Sequence, residues 1–259
     1  MMLLYNISRY IKIFITTAVI LLVLTTILPV LLLRWMDPPT SSFMLQRKIS
    51  AWLDDRKDFN IRYKWTDIDK ISRHALIAVM AAEDQKFPNH RGFDSESIIE
   101  ALYEKTKGIR VRGASTISQQ VAKNLFLWPG KSFIRKGIEA YFTVLIELLW
   151  PKRRIIEVYL NIAELGDGVF GIGAASKKFF RKPPIRLRRR ECALLAAVLP
   201  NPIRLRVDRP SKYVQSRSTM ILREMYRLEK LHYLKKLSQA LGLMGCETQT
   251  ASVRQQPAA

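Results

Sequence analysis

Apolar positions fall into one long uninterrupted run near the N-terminus and, after residue 66, a succession of helix-spaced stripes. From Ile13 to Leu33 there are 21 residues without a charge, flanked by Lys12 and Arg34. That length spans a bilayer as a single helix. Thr16, Thr17, Thr25 and Thr26 are compatible with it because their hydroxyls can bond back to the helix backbone, and Pro29 predicts a kink in the last turns. The run is too long for a signal-peptide core and no small-x-small cleavage site follows, so the pattern predicts an uncleaved anchor, 13–33, behind a short segment, 1–12. Arg9 and Lys12 on one side and Arg34, Arg47 and Lys48 on the other hardly discriminate its orientation. The body of the chain lies on the C-terminal side.

Residues 34–65 read as a linker and lead-in, opened by Asp37-Pro38-Pro39. Beyond them the periodicity is helical almost throughout, and strand-type alternation is scarce. Helices are predicted over Ile71–Phe87, Thr116–Trp128, Phe133–Trp150, Arg154–Glu164, Phe170–Phe180, Arg188–Leu199, Ser211–Glu229 and Leu231–Leu241. Pro129-Gly130, Pro151, Gly166-Asp167-Gly168, Pro183-Pro184 and Pro200-Asn201-Pro202 punctuate them. Thr116-Ile117-Ser118-Gln119 fits a capping box, and Ser132 is a candidate N-cap. The expectation is one all-α domain over 66–241 with a polar, disordered tail over 242–259.

Two acids interrupt apolar stripes. In Ile71–Phe87, Leu76, Val79 and Met80 share a face, and Glu83, seven residues after Leu76, falls on it. A carboxylate on a buried face loses solvation, which raises its pKa and suits proton transfer near neutral pH. In Phe133–Trp150, Glu139 leads Phe142, Ile146 and Leu149, with Arg135 one turn before it. Taken singly, each acid has an ordinary explanation as an ion-paired or partly exposed residue. Their neighbourhood changes the weighing. Arg112-Gly113-Ala114-Ser115-Thr116 opens a helix N-terminus, where free N–H groups attract anions. Lys123 lies one to two turns on, and Arg135-Lys136 begin the next helix. Helix starts, cations and two carboxylates together suggest a phosphorylated substrate and acid–base chemistry. The G-x-x-x-x-G-K-[ST] loop of nucleotide-binding proteins is missing.

Charge and composition narrow the partners. The net charge is +21, from 43 Lys and Arg against 22 Asp and Glu, which favours an anionic partner without choosing among lipid, nucleic acid and phosphorylated substrate. Cys192 and Cys246 have no framework or metal-type spacing, and Cys192 reads as a core thiol. His74, His90 and His232 are too scattered for a zinc site.

At this point five segments in order resemble the signatures of the peptidoglycan glycosyltransferases. Glu83-Asp84-Gln85-Lys86-Phe87-Pro88-Asn89-His90-Arg91-Gly92-Phe93-Asp94 is similar to the first, E-D-x-x-F-x-x-H-x-G-x-D. Gly113 to Gln120 with Lys123-Asn124-Leu125-Phe126 resembles the second, and Arg135-Lys136-Gly137-Ile138-Glu139 the third. Arg154 to Asn161 and Gly171 to Ala175, closing at Phe179-Phe180, resemble the fourth and fifth. The likeness covers roughly 60–230, with Phe179 standing where the family commonly has Tyr. No transpeptidase segment follows, so the chain looks like the monofunctional biosynthetic form.

The resemblance implies a lysozyme-like helical domain behind a single transmembrane helix, with residues 1–12 cytoplasmic and the catalytic domain on the periplasmic face of the bacterial inner membrane. It implies polymerisation of lipid II onto a growing glycan strand, inverting the anomeric centre and releasing undecaprenyl pyrophosphate. Glu83 is then the general base, with Glu139 the second catalytic carboxylate, positioning cations or a Mg²⁺ ion on the pyrophosphate. No cofactor is required. Ser115, Thr116, Gln119, Gln120, Lys123, Arg135 and Lys136 become candidate substrate ligands, and Asp84, His90, Asn124, Glu157 and Asn161 supporting residues. Membrane lipid is an expected contact of Leu125-Phe126-Leu127-Trp128 and of the basic cluster Arg181, Lys182, Arg186, Arg188, Arg189 and Arg190. Other cell-wall synthesis or division proteins are candidate partners, and nucleic acid is not expected. Two rivals are a lysozyme-like lytic enzyme, which needs an acid for a sugar leaving group, and a membrane-tethered basic scaffold, which lacks any interleaving of aromatics with its basic runs.

Overall fold

The computed structural model describes residues 2–107, 115–130 and 132–230. Arg112, Gly113 and Ala114, the helix predicted over 231–241, His232, Cys246 and the tail lie outside the described residues. The chain begins with helix α1 (Met2–Leu22), which runs through a π-helical turn, Val23–Ile27, into α2 (Leu28–Leu32). Residues Arg9–Leu32 are long and apolar enough to cross a membrane, and compatible with an anchor. Thr25 and Thr26 donate to the Leu21 and Leu22 carbonyls at 2.6 and 2.5 Å, as helical hydroxyls in an apolar run should. The expected disturbance at Pro29 takes the form of that π turn, just upstream of a residue that has no N–H to give.

The segment 34–65 differs from a linker. It holds α3 (Ser42–Leu53), N-capped by Ser41, and β1 (Arg62–Tyr63). Met44 and Ala51 of α3 are buried, and Ser42 and Gln46 donate to the Leu127 carbonyl at 2.7 and 2.5 Å. Apolar residues that read as irregular in sequence become ordered because their burial is tertiary, against a helix 80 residues away in the chain.

The body follows as α4 (Arg73–Glu83), α5 (Ser95–Thr106), α6 (Ile117–Phe126), α7 (Phe133–Leu149), α8 (Lys152–Ile162), β2 (Glu164–Gly166), β3 (Val169–Phe170), α9 (Gly171–Ala175), α10 (Arg189–Val198) and α11 (Lys212–Lys230). The domain is mainly helical, as the periodicity predicts. The correction is a small sheet of order β1-β3-β2, parallel between β1 and β3 and antiparallel between β2 and β3. Strands of two or three residues are too short to show alternation. They arise where Gly166-Asp167-Gly168 was expected only to end a helix.

Two packed groups make up the core. Helix α6 lies against α7 and α8, while α10 lies against α4 and α11. Asp84, directly after α4, joins them by accepting the Ile117 N–H at the start of α6 at 2.9 Å. The anchor is seated on the first group. The Trp150 indole donates to the Val30 carbonyl at 2.7 Å, Tyr141 and Thr26 share a hydroxyl bond of 2.9 Å, and Arg154 donates to the carbonyls of Leu33 and Met36 at 3.1 and 2.6 Å. Leu125 and Leu127 are core residues rather than a lipid-dipping pair, whereas Trp128 is half exposed. Cys192 is buried as expected, and burial pushes its thiol up to about 12.

Candidate active site

Glu83 is the last residue of α4. The helix stops there, four residues short of the predicted Phe87, because Asp84 leaves the helical conformation with φ −160°. Its side chain points into the seam between the two helix groups and is only 16% exposed. Oε2 accepts from the Gln120 amide of α6 at 3.0 Å, and Oε1 pairs with the Arg217 guanidinium of α11 at 3.3 Å. Burial raises the carboxyl above its ordinary range, and the Gln120 bond, Arg217 and Lys123 only partly oppose it. Gln120 is itself aimed, since its amide oxygen accepts from the buried Tyr159 hydroxyl at 3.3 Å.

Glu139 sits on the buried face of α7, with a side chain only 4% exposed. Arg135 pairs with its Oε2 at 3.2 Å, and the Lys136 ammonium closes tightly on Oε1. Between the two acids stands Lys123, one turn beyond Gln120 on α6. Burial lowers its pKa, while Glu139 and, more weakly, Glu83 pull it back up. Its ammonium lies 5.4 Å from the Phe43 ring and makes no ion pair among the described residues. The Nε groups of Arg135 and Arg217 are buried and have no acceptor. The seam therefore holds a desolvated carboxylate at one side, an acid saturated by two cations at the other, and donors with capacity left over.

The loop after α4 is organised around Asp84, whose side chain is 3% exposed. Besides Ile117, Asp84 accepts from His90 Nε2 at 2.9 Å, and His90 Nδ1 accepts from the Gly92 N–H at 3.1 Å. Because Nδ1 is an acceptor, the neutral ring carries its proton on Nε2. Both residues hold the loop in place. Gly92 needs its φ of +90°, and a Cβ there would press on Thr143 and Glu147 of α7.

Several expected ligands are otherwise engaged. Thr116 and Gln119 form the predicted capping box. The Thr116 hydroxyl accepts the Gln119 N–H at 3.2 Å and donates to the Gly92 carbonyl at 2.6 Å, while the Gln119 side chain accepts the Thr116 N–H at 3.0 Å. Both are buried, and their side chains are spent on the start of α6. Asn161 is fully buried and clasps Thr66, accepting from its N–H at 2.8 Å and donating to its carbonyl at 2.9 Å. Glu157 accepts the Ile68 N–H at 2.9 Å and pairs with Arg154 at 2.8 Å. These two fix the lead-in to α8 and do not face the seam. Asn124 is buried beside Lys123, and Ser115 is exposed at the α6 N-terminus. As for metal, no group of three or more His, Cys, Asp or Glu side chains is present among the described residues, and both Glu139 oxygens are taken. Among the described residues the side chains form no protein-only cage for a cation, and the expected role of Glu139 toward Mg²⁺ runs only through the substrate's pyrophosphate.

Two residues of the site escape sequence reasoning. Arg217 is one of many cations in a basic amphipathic helix, and no local spacing marks it. Tyr159 reads as an ordinary apolar-face aromatic of α8.

Comparison with known proteins bears on this arrangement. The model of the transglycosylase family matches residues 51–226. A biosynthetic peptidoglycan transglycosylase of Shigella boydii serotype 4 is 56% identical over 191 residues, 73% of this chain and 79% of its own. One from Xanthomonas campestris pv. campestris strain B100 is 49% identical over 218 residues, 84% of this chain and 89% of its own. One from Escherichia coli O1:K1 is 56% identical over 191 residues, with 73% and 79% covered. The match begins inside α3 and ends inside α11, so it takes in both helix groups and the residues described above as bonded to Glu83 and Glu139. The chain belongs to the transglycosylase family.

Proposed function

We infer that this protein is a peptidoglycan glycosyltransferase that polymerises lipid II into linear glycan strands for cell-wall synthesis, held at the membrane by its N-terminal helix. The observation that carries the reading is the asymmetry of the two buried acids. Glu83 is desolvated and only partly compensated, whereas Glu139 is closed by Arg135 and Lys136. A base and a cation cluster suit an inverting transfer in which the leaving group is already anionic. A hydrolase would instead need a second carboxyl able to give a proton to a sugar oxygen.

In this reading Glu83 takes the proton of the acceptor 4-hydroxyl as the oxygen attacks the anomeric carbon of the donor strand. The new β-1,4 bond forms on one face while the α-linked bond to pyrophosphate breaks on the other. The electron pair leaves with the pyrophosphate, whose charge Lys123, Arg135 and Lys136 neutralise. Gln120 orients Glu83, and Tyr159 orients Gln120. Arg217 holds the carboxylate in the seam and retains a donor for the substrate. Ser115, exposed at the start of α6, is a further candidate substrate ligand. Any Mg²⁺ would be carried by the substrate's own phosphates, and no step is assigned to it. The anchor and the substrate's polyprenyl chain together support a single-pass arrangement in the bacterial inner membrane with the domain on its periplasmic face. Other cell-wall synthesis or division proteins fit as partners of the same membrane assembly.

Incubation of labelled lipid II with the wild type and Glu83→Gln, with and without chelator, tests this. Polymer should form with the wild type and fall by about 10²–10⁴ in rate with the variant. Undiminished polymerisation by the variant, or release of soluble sugars from preformed glycan by the wild type, would overturn the reading.

A further inference from the structure

On the other side of α8 from the catalytic seam, a cavity of about 800 Å³ opens between the lead-in residues 64–70 and the segment 177–185. Its charge is not balanced. Lys70 pairs with Asp67 at 2.7 Å and Lys182 with Glu191 at 2.6 Å, but Lys64, Lys177 and Arg181 line it without an ion pair among the described residues. All three are exposed, so they present positive potential to an anion entering the concavity.

The cavity is a built feature. At its floor Gly173 lies directly beneath the lead-in, where a Cβ would collide with the Thr66 hydroxyl and press on the Lys64 carbonyl. Arg181 is held in the left-handed region at φ 55°, a conformation sparsely populated by residues with a Cβ. The Ser176 hydroxyl secures the neighbouring turn by donating to the Lys182 carbonyl at 2.6 Å.

Its position says which anion. One wall is the Trp65 ring, 4.9 Å from the Arg154 guanidinium. The same guanidinium donates to the carbonyls of Leu33 and Met36, where the apolar helix ends. The cavity wall is therefore one side chain away from the residues at which the chain leaves the hydrocarbon and enters the headgroup layer. A tryptophan at that level matches the interfacial preference of indole, and Ile185 presents an apolar edge that is 52% exposed.

We propose that this cavity is a second, non-catalytic site that binds the phosphate of an anionic phospholipid headgroup, through Lys64, Lys177 and Arg181. The placement at headgroup level rests on the N-terminal helix being the bilayer anchor. Partition of the full chain into vesicles tests that premise separately, so its failure is distinguishable from failure of the site.

The test uses the full chain in nanodiscs of phosphatidylcholine containing a minor fraction of phosphatidylglycerol, with retained lipids counted by native mass spectrometry. The wild type should retain phosphatidylglycerol over phosphatidylcholine, and Lys64→Ala/Lys177→Ala/Arg181→Asn should lose that preference by on the order of tenfold. Asn is chosen at Arg181 because it tolerates the left-handed conformation. A control, Lys48→Ala/Lys57→Ala/Arg209→Ala, removes the same charge from exposed positions elsewhere and should keep the preference. Lipid II polymerisation in detergent by both variants reports that each is folded. Equal loss in both variants, or no loss in the cavity variant, would overturn the proposal. Binding of inorganic phosphate to the wild type in phosphatidylcholine discs without any preference for phosphatidylglycerol would assign the cavity to a soluble anion and overturn the lipid assignment.

Discussion

A carboxylate is useful as a base only if something keeps it from being comfortable, and the contacts of Glu83 show how this is arranged. Burial raises its pKa above the ordinary 4.5, and Gln120, Arg217 and Lys123 pull it part of the way back. Activity needs the ionised form, so the acid limb of kcat/KM should have its midpoint above 4.5. Gln120→Ala removes a bond that favours the anion and should move that midpoint to higher pH. A downward or absent shift in the pH–rate profile would contradict this account. The same raised pKa makes the stability sign explicit. A group whose folded pKa exceeds its unfolded one stabilises below the unfolded value and loses that contribution as pH rises through the folded one. Glu83→Gln should therefore match or exceed the wild type in Tm at neutral pH while losing activity. Arg135→Ala should lower lipid II turnover by about 10²-fold or more, since it removes a leaving-group donor and frees Glu139 to compete for Lys123. Steady-state kinetics on labelled lipid II would read that loss. At this scale the sequence points to Glu83 and Glu139 as acids on apolar stripes and to Lys123 and Arg135 by their nearness to helix starts, and the structure brings the four into one seam. It does not reveal Arg217 or Tyr159, whose roles depend on α11 and α8 arriving beside α4 and α6.

At the scale of elements, the legible features are those set by local physics. The Thr116–Gln119 capping box, the Ser132 N-cap and the stop at Pro151 all lie where residue types alone place them. What is illegible is settled by distant partners. Helix α3 has its burial against α6, and β1 is a strand only because Arg62 and Tyr63 pair with Val169 and Phe170. Asn161 makes the dependence concrete, because it supplies from α8 the bonds that Thr66 would otherwise lack. Asn161→Ala should leave those part-buried backbone groups unpaired and lower stability by about 1–3 kcal/mol, measured by denaturant titration in detergent. Gly171 explains why the neighbouring turn tolerates no alternative. It has φ +79°, and a Cβ there would meet the Asn161 carbonyl.

At the scale of the molecule, the apolar helix and the catalytic domain are one packed body rather than a tether and its load. A chain starting at Val23 keeps the carbonyls that Trp150 and Arg154 engage, whereas one starting at Thr40 deletes them and leaves a guanidinium that is 9% exposed with Glu157 but without the Leu33, Met36 and Asp37 acceptors. The longer truncation should lower Tm by some 4–8 °C relative to the shorter, as about 2 kcal/mol does for a domain of this size. Differential scanning fluorimetry in matched detergent would decide, and equal Tm values would refute the seat. The sequence shows the apolar run at 13–33 but not the seat, since the contacts join residues more than 100 positions apart. Three of those contacts, to Val30, Leu33 and Met36, end on main-chain carbonyls. Contacts that end on backbone are blind to side-chain identity, which confines the side-chain part of the seat to few residues such as Thr26 and the buried Val30. With the helix as the bilayer anchor proposed above, its outward-facing residues are free to change with the thickness or composition of the host membrane, or with a neighbouring helix, while the height and tilt of the catalytic seam relative to the bilayer stay fixed.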